Sequence, residues 1–331
     1  MMLVLLFIAA CFLAFSNGAN DNFKGVATLF GSGITNYKKA INWATITTLS
    51  GAIAAIFLAE ALVKNFSGKG LVPNELIQAP SFAIAIALGA AITVFFATKI
   101  GMPISTTHSL VGALFGAGVM AVGSEFNFTK LGNTFLMPLI VSPLMAAILS
   151  LIAYLLFKFL RKQIPSLNKE NPTLASISSP KILDSLHYLS SGIVSFARGL
   201  NDTPKIVGLL LIINTIDIKW SMISVAVIMA IGGLLNSKKV GETMSKKITT
   251  MNSGQGFTAN MITGLLVTTA SIHGLPVSTT HVSVGSLFGI GTVTKKADYK
   301  VIGKIVLSWV LTLPIAAIIS AVVFKTLEVI S

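Results

Sequence analysis

The chain has 331 residues, of which 53% are hydrophobic and only 11% charged, with a mean hydropathy of +0.84. A soluble domain carries about 25% charged residues, so this composition excludes a soluble globular protein and places the chain in lipid. The net charge is +13, yet the basic residues stand in pairs at the ends of apolar runs (Lys38 and Lys39, Arg161 and Lys162, Lys238 and Lys239, Lys246 and Lys247, Lys295 and Lys296). That placement is the pattern of positive-inside topology and argues against a nucleic-acid binder, which gathers its charge on one soluble face.

At roughly 20 residues per membrane span, the length admits about ten to twelve segments and no separate soluble domain. The apolar start, 1–16, lacks the basic flank of a signal peptide and reads as a retained first helix. Apolar runs follow at 25–35, 41–63, 81–98, 104–122 and 131–160. A basic, proline-bearing polar segment, 161–185, then precedes a second series at 186–200, 204–217, 219–235, 257–272, 278–294 and 301–327. Several runs are too short to cross ~30 Å of hydrocarbon as one helix, and short interrupted segments at matching places in two halves point to broken or re-entrant helices around a transport site. The expected fold is all-α and integral to the membrane: a first repeat at 1–160, a linker at 161–185 and a second repeat at 186–331. Cys11 is the only cysteine, so no intrachain disulfide forms.

Internal duplication is visible directly. Phe15-Ser16-Asn17-Gly18-Ala19-Asn20-Asp21-Asn22-Phe23-Lys24 returns 181 residues later as Phe196-Ala197-Arg198-Gly199-Leu200-Asn201-Asp202-Thr203-Pro204-Lys205, with Phe, Gly, Asn, Asp and Lys in register. Gly101-Met102-Pro103-Ile104-Ser105-Thr106-Thr107-His108 returns 173 residues on as Gly274-Leu275-Pro276-Val277-Ser278-Thr279-Thr280-His281, and 12 of the 18 positions through Gly118 and Gly291 are identical. Hydrophobicity alone does not produce such identity, so the halves are copies of one unit.

Two chemistries emerge from these motifs. Asp21 and Asp202 stand next to apolar helices at equivalent positions, and a carboxylate inside the membrane is costly and marks function. Gly18 and Gly199 are expected to let the chain leave helical geometry there, freeing carbonyls beside Asn20, Asp21, Asn201 and Asp202. Such an all-oxygen cage suits a hard cation; the same residues would also serve as plain helix caps. Pro103 and Pro276 stop any preceding helix, and Ser105 and Ser278 are N-cap residues for the helices that follow. With Thr106, Thr107, Thr279 and Thr280 they offer hydroxyls and helix N-terminal N–H groups to a tetrahedral oxyanion. Both carboxylates are expected near mid-depth, within reach of the other half's Ser-Thr-Thr segment. Lys24 and Lys205 either balance the Asp charges, touch the anion or snorkel to the interface. His108 and His281 have no Cys partners or His-Glu motif to make a transition-metal site, and read as buried hydrogen-bonding residues, with a proton relay as the alternative. The glycines at 112, 116 and 118, and at 285, 289 and 291, suit close helix packing.

At these residues the chain resembles the inorganic phosphate transporter (PiT) family, whose halves each carry a Gly-x-Asn-Asp and a Pro-x-Ser-Thr-Thr-His segment. The resemblance spans nearly the whole chain. It implies a multi-pass plasma-membrane transporter of phosphate driven by sodium or protons, with inverted-topology repeats, a homodimeric assembly and no enzymatic activity or cofactor. It also implies that phosphate is held by Ser105, Thr106, Thr107, Ser278, Thr279 and Thr280. Sodium, as coupling ion, would be held by Asn20, Asp21, Asn201 and Asp202 with Thr107 and Thr280. Eukaryotic members tend to place Asn where this chain has Lys24 and Lys205, and Gly241-Glu242-Thr243 has no counterpart in the first half. Few other Asp or Glu residues fall within the spans to form a proton wire, which favours sodium as the driving ion. Sulfate transport, a passive anion channel and a membrane hydrolase built on His108 or His281 are the competing functions.

Overall fold

The computed structural model describes residues 1–163, 173–174, 177–213 and 217–330. Among them, ten helices of fifteen or more residues carry the fold. The first half contributes α1 (Met2–Asp21), α2 (Tyr37–Leu58), α3 (Pro80–Lys99), α4 (Thr106–Val122) and α5 (Met137–Gln163). The second contributes α6 (Ser179–Val207), α7 (Ile218–Asn236), α8 (Ser253–Ile272), α9 (Thr279–Val293) and α10 (Tyr299–Ile330). Seven of the segments are long and apolar enough to cross a membrane; α6, α8 and α9 miss that standard because they carry polar groups or, in α9, too few residues.

Local signals set the helix starts. Asn36 accepts a bond from Lys39 N ahead of α2, and its counterpart Asp217 accepts one from Lys219 N ahead of α7. Pro80 opens α3, where its missing N–H leaves no donor stranded. Asn252 and Gln255 form a capping box at α8. Within the 161–185 segment, Thr173–Leu174 pairs antiparallel with Ile177–Ser178. Pro165, Asn168, Lys169 and Pro172 of that segment lie outside the described residues, while α5 and α6 extend into it from either side.

Packing repeats with the halves exchanged. In its own half α1 packs on α3, as α6 does on α8; across halves, α1 packs on α7 as α6 does on α2, and α4 on α10 as α9 does on α5. Glycine makes these crossings possible. A Cβ on Gly18 would collide with the Met229 carbonyl oxygen, and one on the equivalent Gly199 with that of Thr48. Gly51 and Gly232 meet Phe196 O and Phe15 O in the same reciprocal way, and Gly112 and Gly116 sit against α10 as Gly285 and Gly289 sit against α5. Small residues thus let helix backbones touch, which is how helices associate in lipid.

This corrects one expectation. The helix is not broken at Gly18 or Gly199: α1 runs through Gly18 to Asp21, and α6 continues past Asn201, Asp202 and even Pro204 to Val207. The glycines are used for backbone contact rather than for a break. The first half does depart from α geometry, but after the Asn-Asp pair, in a 3-10 turn at Asn22–Val26. Large apolar side chains of α5 (Ile140, Leu144, Ile148) and α10 (Val310, Ile318, Val322) point outward, the faces that meet lipid.

Candidate functional site

Asn17, Asn20, Asp21 and Lys24 fall at positions i, i+3, i+4 and i+7, which puts them on one side of α1 and its 3-10 extension. Arg198, Asn201, Asp202 and Lys205 do the same on α6. All eight are buried. At the centre, Asn17 Nδ2 donates to Asp21 Oδ2 and to Asp202 Oδ2, both at 3.1 Å, so the carboxylates of the two halves share one donor.

Each lysine then reaches toward the opposite half. Lys24 Nζ donates to Asn20 Oδ1 at 2.8 Å, Asp21 Oδ1 at 2.5 Å, Ile104 O at 2.7 Å and Thr280 Oγ1 at 2.7 Å. Lys205 Nζ donates to the equivalent Thr107 Oγ1 and Val277 O, each at 2.7 Å, and lies 3.5 Å from Asp202 Oδ1. Ile104 and Val277 are equivalent residues between the proline and the serine, where the chain is not yet helical and its carbonyls are free to turn inward. The liberated backbone oxygens therefore come from the Pro-x-Ser segments rather than from Gly18 and Gly199. Neither lysine snorkels.

The halves differ in how the asparagines are held. Asn20 Nδ2 donates to Thr98 Oγ1 at 2.9 Å and Met102 O at 3.1 Å, leaving Oδ1 to Lys24. Asn201 Oδ1 instead accepts from Ser271 Oγ at 3.1 Å, while Nδ2 donates to Asp202 Oδ1 at 3.0 Å and Val277 O at 3.2 Å. Arg198 stands where the first half has Asn17. Its Nη2 donates to Asn17 Oδ1 at 2.6 Å, its Nη1 to Asn22 Oδ1 at 3.0 Å, and its Nε lies 3.6 Å from Asp202 Oδ2.

Ser105 and Ser278 cap α4 and α9 by accepting from His108 N at 3.1 Å and His281 N at 3.2 Å. His108 and His281 are the third residues of those helices, and their rings lie 4.4 Å apart between centroids, so the two N-termini meet. His281 also stacks on Trp309 at 3.8 Å. In the first turn of each helix, Thr106 and Thr107 N–H, and Thr279 and Thr280 N–H, have no acceptor among the described residues. Four convergent backbone donors and two dipole ends are what an anion requires. The threonine hydroxyls are themselves engaged: Thr106 Oγ1 donates to Asp21 Oδ2 at 3.0 Å, Thr107 Oγ1 to Val277 O at 3.2 Å and Thr280 Oγ1 to Ile104 O at 3.1 Å. Thr279 Oγ1 accepts from Asn201 Nδ2 at 3.3 Å.

Each carboxylate meets the other half's Ser-Thr-Thr segment through a lysine, Asp21 reaching Thr280 through Lys24 and Asp202 reaching Thr107 through Lys205. Asp21 binds directly to Thr106 of its own half. The reason is that α1 packs on α3, which leads into α4 of the same half, and α6 does likewise with α8 and α9.

Residues 17–320 match the model of the phosphate transporter family. The chain belongs to that family. Relatives agree along their whole length: a protein of Pyrococcus abyssi named as a phosphate permease is 27% identical over 99% of this chain and 98% of its own. One of Rhizobium meliloti named as a low-affinity inorganic phosphate transporter is 28% identical over 100% and 98%. A solved structure titled the sodium-dependent phosphate transporter superposes with a TM-score of 0.87 at 25% identity, covering 100% of both chains. This is a multi-pass membrane transporter and not an enzyme.

Sequence reasoning missed several members of this candidate site. Arg198 is one of only two arginines in the chain, and its place inside an apolar helix was a signal available from residue type. Asn17, at the matching position, differs from Arg198 and so escaped a comparison that sought identities. Thr98 and Ser271 are also equivalent, one turn before each Gly-x-Pro segment, and the carbonyls of Ile104 and Val277 carry no side-chain signature at all.

Proposed function

We propose that this transporter imports inorganic phosphate by secondary active symport, with sodium as the driving cation. The observation that carries the phosphate reading is the meeting of the two serine-capped ends of α4 and α9, with four unpartnered N–H groups beside a pair of buried carboxylates. Phosphate would take those donors together with the hydroxyls of Ser105, Thr106, Thr107, Ser278, Thr279 and Thr280, with Thr106, Thr107 and Thr280 turning their single protons from Asp21, Val277 O and Ile104 O to the anion, which exchanges its hydration for neutral dipoles. Sodium is supported by the similar solved structure, titled the sodium-dependent phosphate transporter, and by the oxygen donors of Asn20, Asp21, Asn201, Asp202, Thr107 and Thr280. A second reading, proton-driven symport, is favoured by one observation: Lys24 and Lys205 already occupy an oxygen of each of these residues except Asn201.

The test is uptake of labelled phosphate into proteoliposomes with sodium and proton gradients imposed separately. Accumulation under a sodium gradient is expected, with an equal concentration of sulfate leaving it unchanged; accumulation under a proton gradient alone would select the second reading, and none under either would end both. Thr107→Val and Thr280→Val should each weaken phosphate affinity about ten- to a hundred-fold, since a hydrogen bond to a charged group contributes roughly 1.5–3 kcal/mol. Unchanged affinity in both variants would leave the triplets as helix caps.

The reciprocal packing supports reading the halves as inverted-topology repeats whose exchange axis lies in the membrane plane. Lys38 and Lys219 are equivalent and exposed. In a Cys11→Ser background, cysteines placed at these two positions should react with an impermeant thiol reagent from opposite sides of the membrane; labelling from one side would make the repeats parallel. Assembly as a homodimer belongs to the same proposal, and cross-linking in native membranes tests it.

A further inference from the structure

The oxygens around Lys24 Nζ are an amide oxygen, a carboxylate oxygen, a backbone carbonyl and a hydroxyl, at 2.5–2.8 Å and drawn from both halves. This is the donor set of a hard-cation cage, and it surrounds the ammonium almost completely: four acceptors face three N–H protons. The Lys205 ammonium sits in the equivalent place among Thr107 Oγ1, Val277 O and Asp202 Oδ1. Both side chains are buried, so neither ammonium is hydrated from bulk solvent.

We infer that Lys24 and Lys205 are tethered cations occupying the two equivalent positions that a coupling sodium would otherwise fill, so that this chain carries two of its counter-cations covalently. The inference rests on reading the Asn-Asp oxygens as cation ligands. Its consequence is that a driving sodium shares Asp21 and Asp202 with the lysines, through the carboxylate oxygens that the two cages leave free. The acidic oxygens left outside the cages are Asp21 Oδ2 and Asp202 Oδ2, which converge on Asn17 Nδ2.

The two cages are unequal, and the inequality sharpens the inference. Asn20 turns its oxygen to Lys24, whereas Asn201 turns its oxygen to Ser271 and away from Lys205. The Lys24 cage therefore has one more oxygen and a closer carboxylate. Emptying it should create the tighter sodium site of the two, because Asp21 would be left buried with no cation beside it.

Direct binding of radioactive sodium to the purified full-length protein, without phosphate, provides the test. Lys24→Ala is expected to bind one more sodium per chain than wild type, Lys205→Ala one more with weaker affinity, and the double variant two more. The thermal denaturation midpoint of each variant should rise when choline chloride is replaced by sodium chloride, while the wild type should gain less. A variant that folds only in sodium supports the inference in the same way, and Lys205→Ala, with its more loosely held lysine, carries the test where Lys24→Ala does not fold. Equal sodium stoichiometry and affinity in wild type and variants would overturn it. Labelled phosphate binding to the wild type, measured in parallel, reports separately on the transport reading: its loss would sink phosphate as substrate without altering the sodium count.

Discussion

Asp21→Asn and Asp202→Asn are each expected to lower phosphate uptake by about a hundred-fold or more while leaving protein that still elutes as folded. Asparagine keeps the size of the side chain and one acceptor oxygen, so the helix crossings made by the neighbouring Gly18 and Gly199 are undisturbed. What is lost is the negative charge. Breaking a buried ion pair by removing one partner costs about 3–5 kcal/mol because the other charge is stranded, and at 1.4 kcal/mol per decade this reaches a hundred-fold or more when it falls on the binding-competent state. Asp21 holds Lys24 at 2.5 Å and accepts from Thr106 at the start of α4, so its loss loosens the cage and the anion end of its half together. Asp202 faces both Lys205 and Arg198, and its loss leaves the three cations of the cluster with one carboxylate. The measurement is labelled-phosphate uptake into proteoliposomes at matched protein content. Asp21→Asn combined with Lys24→Met separates the roles: removing both charges should restore stability but not transport. Wild-type rate and sodium dependence in either single variant would remove these carboxylates from the mechanism.

Much of this site was legible because duplication exposes it. Two motifs repeated at fixed separations named the asparagines, aspartates, lysines, serines, threonines and histidines that the fold gathers at its centre, and proline followed by serine correctly marked the starts of α4 and α9. The motif glycines misled because a glycine before a polar pair has two physical uses, a break or a close crossing, and only the partner helix decides between them. Met229 and Thr48, whose carbonyls press on Gly18 and Gly199, lie far away in sequence. The lysines were ambiguous for a related reason. Their acceptors on Thr280 and Thr107 belong to the opposite half, 256 and 98 residues distant, and nothing local to Lys24 or Lys205 indicates them.

Arg198 is where the two halves part company, and its removal is the other change from which a large effect is expected. It is fully buried, stands where the first half has Asn17, and ties that asparagine, Asn22 and Asp202 together. Counting formal charges, Asp21 and Asp202 oppose Lys24, Lys205 and Arg198, so the cluster holds one more positive than negative charge before any solute enters. Arg198 is the group that makes that surplus, and an incoming anion benefits from it. Arg198→Asn would give both halves the same residue and bring the cluster to neutrality. Destabilisation of roughly 3 kcal/mol is expected, at the lower end for a broken buried pair because Lys205 still faces Asp202. Phosphate binding should weaken with it. Arg198→Lys keeps the charge but cannot span Asn17, Asn22 and Asp202 at once, since a lysine ammonium lacks the guanidinium fork. It should therefore lose stability while retaining most of the phosphate affinity. Denaturation midpoints and labelled-phosphate binding on the two purified variants distinguish charge from geometry: if Arg198→Asn binds phosphate as tightly as the wild type, the surplus charge plays no part in attracting the anion, and Arg198 serves only to join the two halves.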